Sequence, residues 1–181
     1  MDIAENICIT NTHNWIVRVV IGCNFCPFAA YEVKRQSIFY TVTNSTAISI
    51  LKKDIAAMFT LLNKNAEIET AFLIFEEPNL TFKAYLQIVQ IAEKLIKKAG
   101  YEGVYQIASF HPQYIFANST DTDPTNYTNR SPYAMLHFLR EKSVTKAVDK
   151  YADIESITKQ NMAFTQHKGL QYMKQLLQTC R

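Results

Sequence analysis

The sequence lacks most of the features that assign a chain quickly. It has no apolar run able to cross a bilayer. The longest runs, such as WIVRVVIG at residues 15–22, are short and interrupted by charge. It has no basic stripe interleaved with aromatics. The net charge is only +3, and pairs such as Lys52-Lys53 and Lys97-Lys98 fall on helical segments as solvated faces, so nucleic acid is not an expected partner. The opening MDIAENICIT carries two acids and no basic stretch, so a secretory signal is not expected and a cytoplasmic location is. In that compartment Cys8, Cys23, Cys26 and Cys180 are expected as thiols, and the Asn-X-Ser/Thr triplets at Asn44, Asn79, Asn118 and Asn126 as unglycosylated. No internal repeat or low-complexity tract is present.

What is present is a chain of 181 residues, 48% apolar and 19% charged, the balance of one soluble globular domain spanning 1–181. Residues 11–21 carry Trp15, Ile16, Val19 and Val20 at helical spacing, with Gly22 and Pro27 ending the segment. SIFYTVT at 37–43 is β-branched and aromatic, which predicts a strand. A helix over about 45–63 presents Ile48, Leu51, Ile55, Met58, Phe59 and Leu62 on one face. TAFLIF at 70–75 is a continuous apolar run, the mark of a strand covered on both faces. A helix follows over about 81–99, with Lys97, Lys98 and Gly100 at its end, then a strand at 104–110. An irregular stretch covers about 112–130. Ser131-Pro132 then predicts a helix to about Arg140, VTKAVDKY continues it, and 153–178 reads as a last amphipathic helix expected to pack on the domain.

Each predicted strand is joined to the next by one substantial helix, which implies parallel pairing with right-handed crossovers. The expected fold class is therefore α/β: a small three-stranded, mostly parallel sheet flanked by helices, with extra C-terminal helices. An α+β variant with one antiparallel strand stays open. In such a sheet, sites gather outside the carboxyl ends of the strands, here Thr43-Asn44, Glu76-Glu77 and His111.

The segment DPTNYTNRSPYAMLHFLRE, residues 123–141, raises a chemical question. Polar, turn-prone residues run straight into the predicted helix start, whose first turn holds no acid to offset its partial positive charge. Arg130, with Asn126, Thr128, Asn129 and Ser131, would then form a cradle for a phosphate or carboxylate. Its alternative is a capped helix behind a turn, with Arg130 paired to an internal carboxylate such as Glu76 or Asp123. A second unusual stretch is VIGCNFCPFAAYEVK at 20–34, whose Cys23 and Cys26 stand in a C-x-x-C. No second paired motif accompanies it, which argues against a four-ligand zinc site.

These two stretches, together with QIASFHPQYIFA, resemble the uncharacterised bacterial proteins grouped as domain of unknown function 1415, over about Asn14 to Gln166. The resemblance implies one α/β domain and no established activity. Gly22, Asn24, Cys26, Pro27, Phe28 and Ala29 match the family pattern, as do Ser109 to Pro112 and Asn126 to Tyr133. Cys23 stands where the family has an apolar residue, so it reads as a small packed hydrophobe, and Ala134 replaces a usual proline.

The motifs allow a small enzyme in which Cys26 is nucleophile and His111 base, with Asn24, Asn126, Thr128, Asn129, Arg130 and Ser131 holding an anionic small molecule. The other reading is a non-catalytic binding module for a small anion, walled by Tyr114, Phe116 and Tyr127. A metal alternative would draw on His111, Glu76, Glu77, Asp121 and Asp123, although their spacing matches no metal motif. The sequence names no cofactor and leaves open whether the protein is an enzyme. Trp15 and His137 are expected in the core.

Overall fold

A computed structural model describes residues 6–148 and 154–181. Its elements are α1 (Ile7–Trp15), α2 (Ala29–Arg35), β1 (Ile38–Thr43), α3 (Ile48–Lys64), β2 (Thr70–Phe75), α4 (Phe82–Lys98), β3 (Tyr105–Phe110), β4 (Ala134–Arg140), α5 (Glu141–Val148) and α6 (Ile154–Gln178). Helix α1 runs on as a π-helix over Ile16–Ile21, and a 3-10 turn covers Pro124–Thr128. Of the predicted helical continuation, Asp149, Lys150 and Tyr151 lie outside the described residues, as does the predicted start of the last helix at residue 153.

The protein is a mixed α/β structure on a four-stranded sheet of order β1-β2-β4-β3. β1 pairs with β2 in parallel, while β4 pairs antiparallel with both β2 and β3. The expectation of three mostly parallel strands is corrected here, because two of the three pairings are antiparallel. β1, β2 and β3 do run in the same direction, as their helical crossovers require. The fourth strand slips between β2 and β3.

That fourth strand is the segment expected to be a helix. AMLHFLR is rich in helix formers, yet Ala134 to Arg140 are paired on both sides, to Thr70–Phe75 and to Tyr105–Phe110. Both neighbouring strands would otherwise expose a ladder of unpaired amides, and satisfying two ladders at once outweighs a propensity of tenths of a kcal/mol per residue. Ser131 does not cap a helix. Its hydroxyl donates to the Tyr133 carbonyl at 2.6 Å.

Two apolar clusters sandwich the sheet. On one face α3 and α4 bury Leu51, Ile55, Phe59, Leu62, Tyr85, Ile88 and Ala92 against Ala71, Leu73, Leu136 and Phe138. Helix α4 starts at Thr81, whose side chain accepts from the Ala84 amide. On the other face α1, the π-helix and α6 bury Trp15, Ile16, Val19 and Met173 against Phe72, Ile74 and Met135. Trp15 is core, as expected, and its indole nitrogen donates to the Arg130 carbonyl at 3.0 Å. Helix α6 packs on this face through Phe164, Leu170 and Leu176, and breaks at Gly169, whose φ of 80° favours glycine. Gly22, in the motif that carries the family resemblance, closes the π-helix so tightly that a Cβ there would collide with the Arg18 carbonyl oxygen.

Candidate functional site

The loop from His111 to Ser131 is where sequence reading concentrated its binding residues, and these side chains build the loop itself. Asn126 is fully buried. Its amide nitrogen donates to the Thr120 carbonyl at 2.7 Å and its oxygen accepts from the Phe116 amide at 3.0 Å. Asp123 caps the 3-10 turn by accepting from the Thr125 amide and hydroxyl at 2.8 and 2.7 Å, and those bonds hold its carboxyl below the usual range. Thr128 donates to the Thr125 carbonyl at 2.9 Å, and Asn129 reaches back to the Ser109 carbonyl at 3.1 Å.

Arg130 is buried in the middle of this network. It donates to the Tyr114 and Asp121 carbonyls at 3.1 and 2.9 Å, pairs with the Asp121 carboxylate at 2.7 Å, and lies over the Tyr127 ring. The pairing with an internal carboxylate anticipated for Arg130 exists, with Asp121 as the partner. With β4 in place of the helix, Ser131 and Pro132 open no helix at the end of this loop. The cradle's intended donors are engaged with the loop's own acceptors.

His111 is 2% exposed at the end of β3. Its Nε2 lies 2.9 Å from the Leu80 carbonyl oxygen, and its Nδ1 accepts from the Gln113 amide at 3.0 Å. This pairing fixes the tautomer with the proton on Nε2. The ring packs against Phe82 and Tyr85, and burial lowers its pKa, partly offset by the Leu80 hydrogen bond. Cys26 lies elsewhere, in the turn between the π-helix and α2, next to Phe25 of the α1/α6 cluster. His111 packs on α4, across the sheet. The structure thus does not bring the two together. Burial pushes the Cys26 thiol up, although the Phe28 and Ala29 amides oppose it. Asn24 takes a left-handed φ of 56° in the same turn. Cys23 is buried in the apolar cluster, as the family comparison suggested. Among the described residues no group of three or more His, Cys, Asp or Glu side chains could hold a metal, so the set His111, Glu76, Glu77, Asp121 and Asp123 does not converge.

What the topology does gather lies at the carboxyl ends of β1 and β2, beneath the start of α1. A cleft of about 520 Å³ runs from there along β1, lined by Asn6, Ile9, β1 from Ile38 to Val42, Asn44 and Glu76. Glu76 follows β2, and its amide donates to the Thr43 carbonyl at 2.9 Å, which fixes where its exposed carboxylate begins. Beside it a buried polar cluster descends into the protein. The Asn11 amide donates to the Tyr133 hydroxyl at 2.9 Å, and the Cys8 thiol interacts with both Tyr133 and Glu76. Burial raises the thiol pKa most. The Tyr133 hydrogen bond lowers it, and the Glu76 carboxylate raises it again, so the thiol stays protonated. Burial also raises the Tyr133 and Tyr40 hydroxyls. His13 Nδ1 lies 3.4 Å from the Tyr40 hydroxyl on the same flank.

Sequence reading placed Glu76 at a strand end but missed Asn6, Cys8, Asn11, Tyr40 and Tyr133. The Asn6 signal was legible, since asparagine before an apolar run is a helix cap, and its side chain accepts from the Cys8 amide at 2.8 Å. Tyr133 carried none, because it was assigned to a helix.

The fold and its cleft define a small mixed α/β protein whose one described parallel strand pair presents an acidic, asparagine-flanked opening. The family model of DUF1415, described as a protein of unknown function, matches residues 7–175, and the chain belongs to that family. No curated protein and no solved structure matches it. Among the described residues no helix is long and apolar enough to cross a membrane.

Proposed function

We propose that this is a small-molecule-binding protein whose site is the cleft along β1, with its polar groups where Asn44 and Glu76 follow β1 and β2. Its ligand carries a cationic or hydroxyl-bearing group directed at Glu76. The observation that carries this reading is the cleft's lining: among the described residues Glu76 is its one charged side chain, flanked by the amides of Asn6 and Asn44 and an apolar wall from β1. Pockets of this size bind through such a wall plus a few placed polar groups, and open sheets with parallel strands bind at this end. The protonated thiol of Cys8 and the Tyr133 hydroxyl lie behind Glu76, outside the lining of the cleft, and supply no nucleophile at neutral pH.

Two considerations favour this over a Cys26–His111 enzyme acting on an anion. Both nitrogens of His111 are occupied by backbone partners. The donors of Arg130 are directed inward, to the loop it holds together. A second cleft of about 630 Å³ lies between α3 and α4, but it sets Glu77 of the β2–α4 turn beside Lys94 of α4, so its charges are of mixed sign.

Thermal-shift screening of amines, amino alcohols and polyols against phosphates and carboxylates tests the reading. Ligands of the first group are expected to raise Tm, because a molecule that binds only the folded state stabilises it. Glu76→Gln is expected to abolish the shift while leaving the unliganded Tm nearly unchanged, since the carboxylate is exposed. Stabilisation by anions alone, undiminished in Glu76→Gln, would remove the cleft as the site.

A further inference from the structure

We infer that two copies of this chain associate through β1, pairing the strands antiparallel about a two-fold axis to make one continuous eight-stranded sheet. The inference does not rest on the ligand reading. β1 is an edge strand, with β2 on one side and no strand on the other among the described residues. Its backbone directions can be read from its ends. The Ser37 carbonyl accepts from the Glu69 amide at 2.8 Å, and the Thr43 carbonyl from the Glu76 amide at 2.9 Å. Residues 37 and 43 therefore face β2. With period two and an unbroken register between them, Ile38, Tyr40 and Val42 turn their amides and carbonyls to the open edge.

An edge of this kind is a pairing template unless it is blunted. Proteins blunt edges with lysine, proline, bulges or very short strands. β1 reads Ile-Phe-Tyr-Thr-Val-Thr over six residues, without charge, proline or bulge. The apolar surroundings point the same way. Of the eight large hydrophobic side chains exposed among the described residues, Ile7 belongs to α1, which packs on β1, and Tyr31 to α2, which leads into it.

Charge complementarity selects a second copy as the occupant. The end of α2 that leads into β1 carries exposed Lys34 and Arg35. The opposite end of the strand lies beside Glu76 and Glu77. Antiparallel pairing centred on Tyr40 sets Ile38 of one copy against Val42 of the other. It thereby brings the basic end of each copy to the acidic end of its mate, twice over, as an isologous interface demands. The α1 sides of both sheets then continue into each other.

Sedimentation velocity on the full chain across a broad concentration range, combined with residue-resolved amide exchange, tests this. A reversible dimer is expected, with the Ile38, Tyr40 and Val42 amides protected only at concentrations where it forms. Val42→Pro, which removes one outward donor, should shift the chain to monomer, and Arg35→Glu should weaken association in a salt-dependent manner. A chain that stays monomeric at high concentration overturns the inference. So does a dimer in which those three amides exchange freely, since it would use another surface. The exchange measurement on the wild type decides the matter even if the proline variant fails to fold.

Discussion

The guanidinium of Arg130 stands 2.7 Å from the carboxylate of Asp121 and 4.8 Å from the centroid of the Tyr127 ring. The Asp121 side chain is 75% exposed, so the ion pair itself contributes little. The weight lies in the buried donors to the Tyr114 and Asp121 carbonyls, which no other group would replace. Arg130→Ala is expected to cost about 3 kcal/mol, a Tm lower by roughly 6–12 °C for a chain of this size. Arg130→Lys should rescue little of it, because an ammonium cannot serve acceptors spread across a guanidinium fork. An arginine held open for a ligand would behave differently, with its removal nearly neutral in the unliganded protein. Calorimetry on the two variants separates the cases.

His137 shows what the fourth strand does to a titrating group. It stacks on Phe72 at 3.9 Å and meets the Thr70 hydroxyl through Nε2, and desolvation lowers its pKa from 6.5 to about 3. A depressed pKa means that the unfolded chain binds the proton more readily. Stability is therefore complete above about pH 6.5 and is lost as pH falls toward about 3. His111, also lowered, adds in the same direction. The expected slope from His137 is about 1.4 kcal/mol per pH unit inside that window. Urea unfolding of the wild type and His137→Phe at several pH values checks it. The two curves should converge as pH falls, since the phenylalanine variant has no proton to bind at this position.

The parts of this fold legible in the sequence are those whose local pattern and tertiary role agree. TAFLIF is a buried run and a buried strand, and α4 has an apolar stripe, a threonine cap and a glycine stop in register. AMLHFLR failed because its composition favours a helix while its place between two open ladders demands a strand. A continuous apolar run of strand length after a turn was the available signal, and Ser-Pro masked it. That single exchange also removed the imagined cradle, since the polar residues before it ceased to face a helix end. On α3, Ile48 is expected on the buried stripe and stands 58% exposed, at the mouth of the cleft between α3 and α4. The cleft was half legible. Glu76 follows from a strand's end, but Cys8, Asn11 and Tyr133 meet only through tertiary packing, which no spacing encodes.

Cys26 gives the sharpest chemical contrast between the readings. Burial raises its thiol above the ordinary value of 9.0, the Phe28 and Ala29 amides offset this only in part, and the nearest histidine by motif, His111, packs against α4 on the far face of the sheet. Alkylation of the native protein at neutral pH is therefore expected to be slow. Its rate should climb about tenfold per pH unit as the small thiolate fraction grows. His111→Gln should leave that rate unchanged at each pH while lowering Tm, because the imidazole is bonded to the Leu80 carbonyl and the Gln113 amide. Mass spectrometry of iodoacetamide-treated protein, resolved by peptide, distinguishes Cys26 from the buried Cys8, Cys23 and Cys180. Rapid labelling of Cys26 near neutrality, flat with pH and abolished by His111→Gln, would restore a thiol–histidine pair and require a conformation in which the turn crosses the sheet edge to reach it.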